Sequence, residues 1–425
     1  MSTGTVNTGD AAAVYYPVSE RRMSRGRGVF LYDSDGNEFL DCASATFNLS
    51  LGYSHPAVLA AMKAQMDELI HITSGFQSDA INTLTRMLVD ASPANIVAAH
   101  LKVSGGSEAN EGAIKMAQRA TGKRDVISMF RSHLGQTVMT AGLSGNGFRR
   151  ENLEFSVANK VIVPDAHCYR CFYRQSPESC GMLCADRIAD FAEYASSGSV
   201  AAVIVEPISG NGGNVVPPLD YFPAVRRVCD ELGIKLIFDE IQTGIGRTGY
   251  LFAAEYFGVQ PDAITVAKGL GGSGAQIAGI LTSEELGGMP LNDHSFTYGG
   301  NLMAAAAAIE TLKIINTEPF LRNVRETGFY ILERLRELQT RVAAIGDVRG
   351  VGLMIGIELV DGEGREDVAL ANYLADRAMQ YGLILRTSRY GRGSVLKIRP
   401  PLILSMVEAH LLCDRFEALL LEHAN

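Results

Sequence analysis

Four short, uninterrupted apolar runs constrain this chain more than anything else in it: Asp125-Val-Ile-Ser-Met-Phe130, Ala201-Ala-Val-Ile-Val205, Lys235-Leu-Ile-Phe238 and Ala263-Ile-Thr-Val266. A strand with one wet face alternates apolar and polar residues. These runs are apolar at nearly every position, as parallel strands covered on both faces are. Between the second and third, Phe222, Val225, Cys229 and Leu232 follow helical spacing, and Gly233 supplies a stop. Strand and helix in alternation predict an α/β fold with a mostly parallel sheet in three layers.

The flanks differ. Residues 1–13 are small and polar and are expected to form a disordered tail, and Gly28 to Asp41 reads as a hairpin turning at Asp35-Gly36. After the alanine-rich stretch Met303 to Ala308 comes a long charged helix, Glu318 to about Val342, then strands at Val348 to Glu358 and Ser394 to Arg399. A final helix opens with the capping box Ser405 and Glu408. The expected division is an N-terminal segment, 14–60, packed with a smaller α+β domain at 316–425, and a large α/β domain at 61–315.

With 425 residues and 47% hydrophobic content, the chain can bury a large core. Its net charge of -9 disfavours nucleic acid or an anionic membrane as the main partner. The N-terminus lacks a secretion signal, and no stretch approaches the roughly 18 apolar residues of a membrane helix, so a cytoplasmic protein is expected. Of seven cysteines, Cys42, Cys229 and Cys413 stand alone in apolar patterns. Cys168, Cys171, Cys180 and Cys184 cluster beside His167, on a spacing that roughly fits a zinc knuckle. The alternative is an ordered loop of reduced thiols over the active-site mouth, with a disulfide disfavoured in a reducing compartment.

Chemistry concentrates at the ends of the strands. Lys268 follows Ala263 to Val266 into a glycine-rich turn, and Asp239 ends the strand about thirty residues upstream. An amine and a carboxylate at neighbouring strand ends suggest pyridoxal phosphate, with the lysine as Schiff base and the aspartate on the pyridine nitrogen. Ser104-Gly-Gly-Ser107 leads into a helix, and exposed amides at such a start suit a phosphate dianion.

From about residue 25 to its C-terminus the chain resembles the class III (ornithine or 4-aminobutyrate type) aminotransferases, pyridoxal-phosphate enzymes of fold type I. The resemblance rests on Leu51-Gly-Tyr-Ser-His-Pro56, Ser104-Gly-Gly-Ser-Glu-Ala-Asn110, Glu206-Pro-Ile-Ser-Gly-Asn-Gly-Gly213, the run Phe238 to Gly249, Lys268-Gly-Leu-Gly-Gly272 and the run His294 to Asn301. It implies that Lys268 carries the cofactor and shuttles the proton, and that Asp239 keeps the ring nitrogen protonated. By the same resemblance Gln242 would bond the phenolic oxygen and Ile241 would lie under the ring. Gly105, Gly106 and Ser107 would cradle the phosphate, while Thr297 would reach the phosphate of a second subunit, making a homodimer the active unit.

Departures bear on substrate. Ser132-His133-Leu134-Gly135 puts His133 where relatives stack a Tyr or Phe on the ring. Lys397-Ile-Arg399-Pro-Pro-Leu402 puts Lys397 in the place of the arginine that grips the substrate carboxylate, with Arg399 on the same strand face. Glu206 matches the glutamate that pairs with that cation, and is expected to meet Lys397 or Arg399 or to hold a polar substrate group. The loop Gly271 to Gln276 lacks a proline that relatives carry. These differences suggest a specialised acceptor, such as an oxidised amino sugar of antibiotic (aminoglycoside) biosynthesis. The expected reaction moves an amino group from glutamate or glutamine to an aldehyde or ketone. The alternatives are an aminomutase, epimerase or phospho-lyase on the same cofactor, and a catalytically silent binding protein.

Overall fold

The computed structural model describes residues 6–7, 13–14, 21–73, 75–151, 159–290 and 292–423. All four apolar runs are strands of one seven-stranded sheet, in the order Ile96–Val103, Ala278–Ser283, Ala263–Val266, Lys235–Asp239, Val200–Val205, Asp125–Met129, Lys160–Val163. Ala278–Ser283 runs antiparallel to both neighbours, and the remaining pairings are parallel. The expected mostly parallel α/β architecture is what forms.

Period-two alternation divides the strand residues between two cores. Ala202, Ile204, Ile237 and Ala263 pack with Ala109, Ala113 and Ala117 of the helix Gly106–Thr121. Val203, Val205, Leu236, Phe238 and Ile264 face the other way, where Phe222 of the helix Tyr221–Leu232 meets Phe238 at 4.8 Å between ring centroids. Small residues on the first helix let it approach the sheet closely, and that approach brings its N-terminus to the strand ends. Gly233 stops the second helix in the left-handed region, as expected.

Beyond the helices Leu302–Ile315 and Glu318–Gln339 lies a four-stranded sheet, ordered Ile345–Val351, Met354–Leu359, Val395–Ile398, Arg386–Thr387. The sequence run Val348 to Glu358, read as one strand, is instead two antiparallel strands. They turn at Gly352, whose φ of +55° and contact with the Thr248 backbone exclude a side chain. The capping box is present: the Ser405 amide donates to the Glu408 carboxylate at 2.7 Å and Ser405 Oγ accepts from the Glu408 amide at 3.3 Å. The hairpin of Phe30–Asp33 and Glu38–Asp41 pairs in parallel with Leu383–Ile384, which ties the N-terminal segment to the C-terminal part of the chain. Of the expected disordered tail, Val6–Asn7 pairs with Ala13–Val14, and the rest lies outside the described residues. No helix among the described residues is long and apolar enough to cross a membrane.

Candidate active site

Three loops open at one edge of the large sheet, because the strands that deliver them run the same way. Val103 leads to Ser104–Ser107, Asp239 begins 239–242, and Val266 leads to Lys268. Ligands of open α/β sheets sit outside such carboxyl ends.

Asp239 follows Phe238, so its side chain turns to the face covered by the helix Gly106–Thr121. There Asn110 Nδ2 donates to Asp239 Oδ2 at 2.7 Å and to the Leu134 carbonyl at 2.8 Å. Thr265 Oγ1 donates to Asn110 Oδ1 at 2.7 Å, and the Ile241 amide donates to Asp239 Oδ1 at 3.1 Å. The carboxylate is therefore fixed in one orientation. Burial pushes its pKa up to about 6, against the opposing pull of Asn110 and Lys268. Sequence reasoning did not single out Asn110. Its only local signal is a polar residue on the buried face of a helix otherwise made of Ala109, Ala113, Ile114 and Ala117.

Lys268 opens a short 3-10 turn with φ +38°, a strained conformation for a side chain of any size. Burial lowers its proton affinity, while Asp239 and then Glu206 raise it. Its neighbour across the cavity, His133, is pushed down to about 3, first by burial and then by Lys268, so its ring is neutral.

A cavity of about 480 Å³ is lined by Lys268, Asp239, Ile241, Gln242, His133 and the turn Gly105–Ser107. Pyridoxal phosphate fits this arrangement on three counts. The helix start has two glycines, and a Cβ on Gly106 would come within 2.7 Å of Ile241 Cδ1. Gln242 Oε1 and His133 Nδ1 are buried without partners, so both have hydrogen-bonding capacity to spare. An acid, Asp239, and an amine, Lys268, line the one cavity.

A second cavity, about 260 Å³, shares Gln242 with the first. Lys397 and Arg399 line it together with Arg386, Asn211, Phe47 and Tyr390. Arg389 and Tyr390, both non-glycine residues at positive φ, turn Tyr390 over this space, with Arg149 stacked 4.0 Å from its ring centroid. Arg399 is 1% exposed and Lys397 6% exposed.

The remaining expected residues are not brought into these cavities. Glu206 pairs with neither Lys397 nor Arg399; its oxygens accept from the His133 amide at 2.9 Å and the Gly210 amide at 3.0 Å. Those backbone donors occupy it, and burial followed by Asp239 pushes its pKa up to about 8. Thr297 is exposed in a turn away from its own chain's cavity. Cys168, Cys171, Cys180 and Cys184 line neither cavity. With His167 they surround a separate space of about 30 Å³, on a segment docked to the second sheet by Arg170 and Glu358. Among the described residues, no three His, Cys, Asp or Glu side chains are arranged to hold a metal ion.

Residues 12–420 match the family described as aminotransferase class-III. A leucine/methionine racemase of Thermococcus litoralis is 37% identical over 383 residues, covering 89% of this chain and 85% of the relative. An acetylornithine aminotransferase of Methanothermobacter thermautotrophicus is 34% identical, covering 92% of each. A PLP-bound amine transaminase from an uncultivated Pseudomonas species superposes with a TM-score of 0.89 at 30% identity, covering 95% of each chain. The chain belongs to the class III aminotransferases, pyridoxal-phosphate enzymes of fold type I.

Proposed function

We propose that the protein is an aminotransferase in which Lys268 is the cofactor-bearing and proton-carrying residue, moving an amino group from glutamate or glutamine to an aldehyde or ketone. The observation that carries this reading is the single cavity lined by Lys268, Asp239 and the Gly105–Ser107 helix start. When bound, pyridoxal phosphate supplies an electron sink for negative charge at the amine-bearing carbon. Asp239, oriented by Asn110, holds a proton on the ring nitrogen by its opposing charge. Gly105, Gly106 and Ser107 would hold the phosphate at the helix start, Ile241 and His133 would contact the ring, and Gln242 would hydrogen-bond its oxygen. Lys268, its proton affinity lowered by burial, takes a proton from the substrate carbon and returns it.

Substrate lies in the second cavity, against Lys397 and Arg399. Their charge favours a carboxylate over an oxidised amino sugar, which brings no anionic counter-charge. Glu206, held by amides, acts on the position of His133 rather than on substrate. A homodimer is the proposed unit. Thr297 is exposed and outside its own cavity, and Tyr298 and Phe76 are 68% and 70% exposed, which suits a partner face. Free thiols fit the proposed cytoplasmic compartment.

Racemisation is a second reading, favoured by the racemase among the relatives. The deciding experiment follows the visible absorbance of the holoenzyme with a panel of amino acids, amines and oxidised sugars. Amine transfer requires bleaching by a donor and recovery with a keto acid. Inversion and solvent deuterium uptake at the α-carbon without keto acid would identify the racemase, and a protein with no imine absorbance would sink both readings.

A further inference from the structure

Outside both cavities described above, Cys168, Cys171, Cys180 and Cys184 line a third, of about 30 Å³, which is roughly one water's share of the liquid. All four are free thiols and partly exposed, whereas Cys42, Cys229 and Cys413 are buried. Thiols around so small a space can meet in pairs. They do not converge on one point, since no three of the described His, Cys, Asp or Glu side chains are arranged to hold a metal ion.

The thiols differ in how firmly they are held. Cys168 opens a short 3-10 turn that is docked to the smaller sheet by the ion pair of Arg170 with Glu358. Cys180 closes the exposed run 174–179, with its amide donating to the Ser176 carbonyl at 3.0 Å and its thiol making only a weak contact to the Pro177 carbonyl at 3.8 Å. Gly181 and Met182, at φ +56° and +60°, then reverse the chain and return it to the cavity wall. Burial pushes the Cys168 thiol up, and Cys180 acts on it next, ahead of Cys171. Cys184, in the first turn of the helix Leu183–Tyr194, is pushed up to about 12 by burial and then by Cys168 and Cys180, so it stays a thiol. Thiolates, not thiols, attack disulfides.

We propose that Cys168 and Cys180 form a reversible oxidation site, closed to a disulfide by exchange with a small disulfide such as oxidised glutathione. Cys180, on the exposed turn, releases its proton to water and attacks the small disulfide. One half is then bonded to Cys180 Sγ, and the other leaves as a thiolate. Cys168 next releases its proton, attacks Cys180 Sγ and expels the second half. The two protein thiols lose two electrons and two protons, and one small disulfide becomes two thiols. In a reducing compartment the pair rests as thiols.

The test incubates the holoenzyme with mixtures of oxidised and reduced glutathione, quenches with acid, alkylates the denatured protein and maps its peptides by mass spectrometry. As the oxidised share rises, the expected result is an intramolecular link between Cys168 and Cys180 that dithiothreitol reverses. Cys42, Cys229 and Cys413 remain open to alkylation throughout. In Cys168→Ser the exchange stops halfway, and Cys180 accumulates bonded to glutathione. In Cys180→Ser, Cys168 stays a free thiol, and Cys171→Ser forms the link as wild type does. Wild type decides the matter without the variants. If both cysteines stay free in the most oxidising mixture, the inference is overturned, as it is by a link between other cysteines or by glutathione that stays on Cys180.

Discussion

The two joined cavities treat charge in opposite ways. In the first, Asp239 is surrounded by donors, from Asn110 and the Ile241 amide, and an amine faces it across the same space. In the second, Lys397 and Arg399 are buried with no carboxylate in ion-pair distance among the described residues, and Glu206 acts on them only from further off. The comparison separates cofactor from substrate. On the proposed function, a resident cofactor would meet an acid already fixed by its own hydrogen bonds, with Gln242 Oε1 and His133 Nδ1 left free for it. A substrate that comes and goes must itself bring the compensating charge, and the protein bears the strain in between.

Substitutions can break this contrast from either side. Lys268→Ala should have the largest effect, a loss of about ten-thousandfold in turnover with loss of the imine absorbance, measured on purified protein. Asp239→Asn should lower kcat by about a hundredfold or more while changing donor KM little, and Asn110→Ala, which removes one of its bonds, by about tenfold. Arg399→Met should raise the KM of carboxylate substrates by roughly tenfold to a hundredfold and yet increase the melting temperature of the protein, because it removes an unpaired buried charge. A melting temperature that falls instead would mean that the cations are already compensated.

The smallest effect concerns pH. Glu206 and Asp239 have pKa values raised to about 8 and about 6, so the folded apoprotein keeps protons that the unfolded chain has released. That stabilisation is complete below the ordinary carboxylate range and is lost as pH rises through the folded values. The melting temperature of the apoprotein should therefore decline between about pH 5 and pH 8, and Glu206→Gln should flatten the decline, as read by scanning calorimetry.

The parts legible in the sequence are those whose physics is local. Continuous apolar runs announced the central strands, with Asp239 and Lys268 at their ends, and Gly105-Gly106 stood out as a glycine-rich helix start. Ile96–Val103 escaped notice because it is an edge strand, half exposed at Val97 and carrying His100 and Lys102. Asn110 escaped because its role depends on Thr265 and Asp239, far away along the chain. Arg386 escaped because only the strand register puts it opposite Lys397. The pairing expected of Glu206 failed for a related reason: nothing in its neighbourhood in sequence reveals that the His133 amide comes to it. At Val348 to Glu358, by contrast, the turn was written locally, in Gly350-Val-Gly352, and the apolar continuity concealed it.

The most direct measurement is to reduce the holoenzyme with borohydride, digest it and locate the label by mass spectrometry. The account predicts a pyridoxyl group on Lys268 alone, with the visible absorbance abolished and no label in Lys268→Ala. A label on another lysine, or none on a protein that still transfers amines, would contradict it.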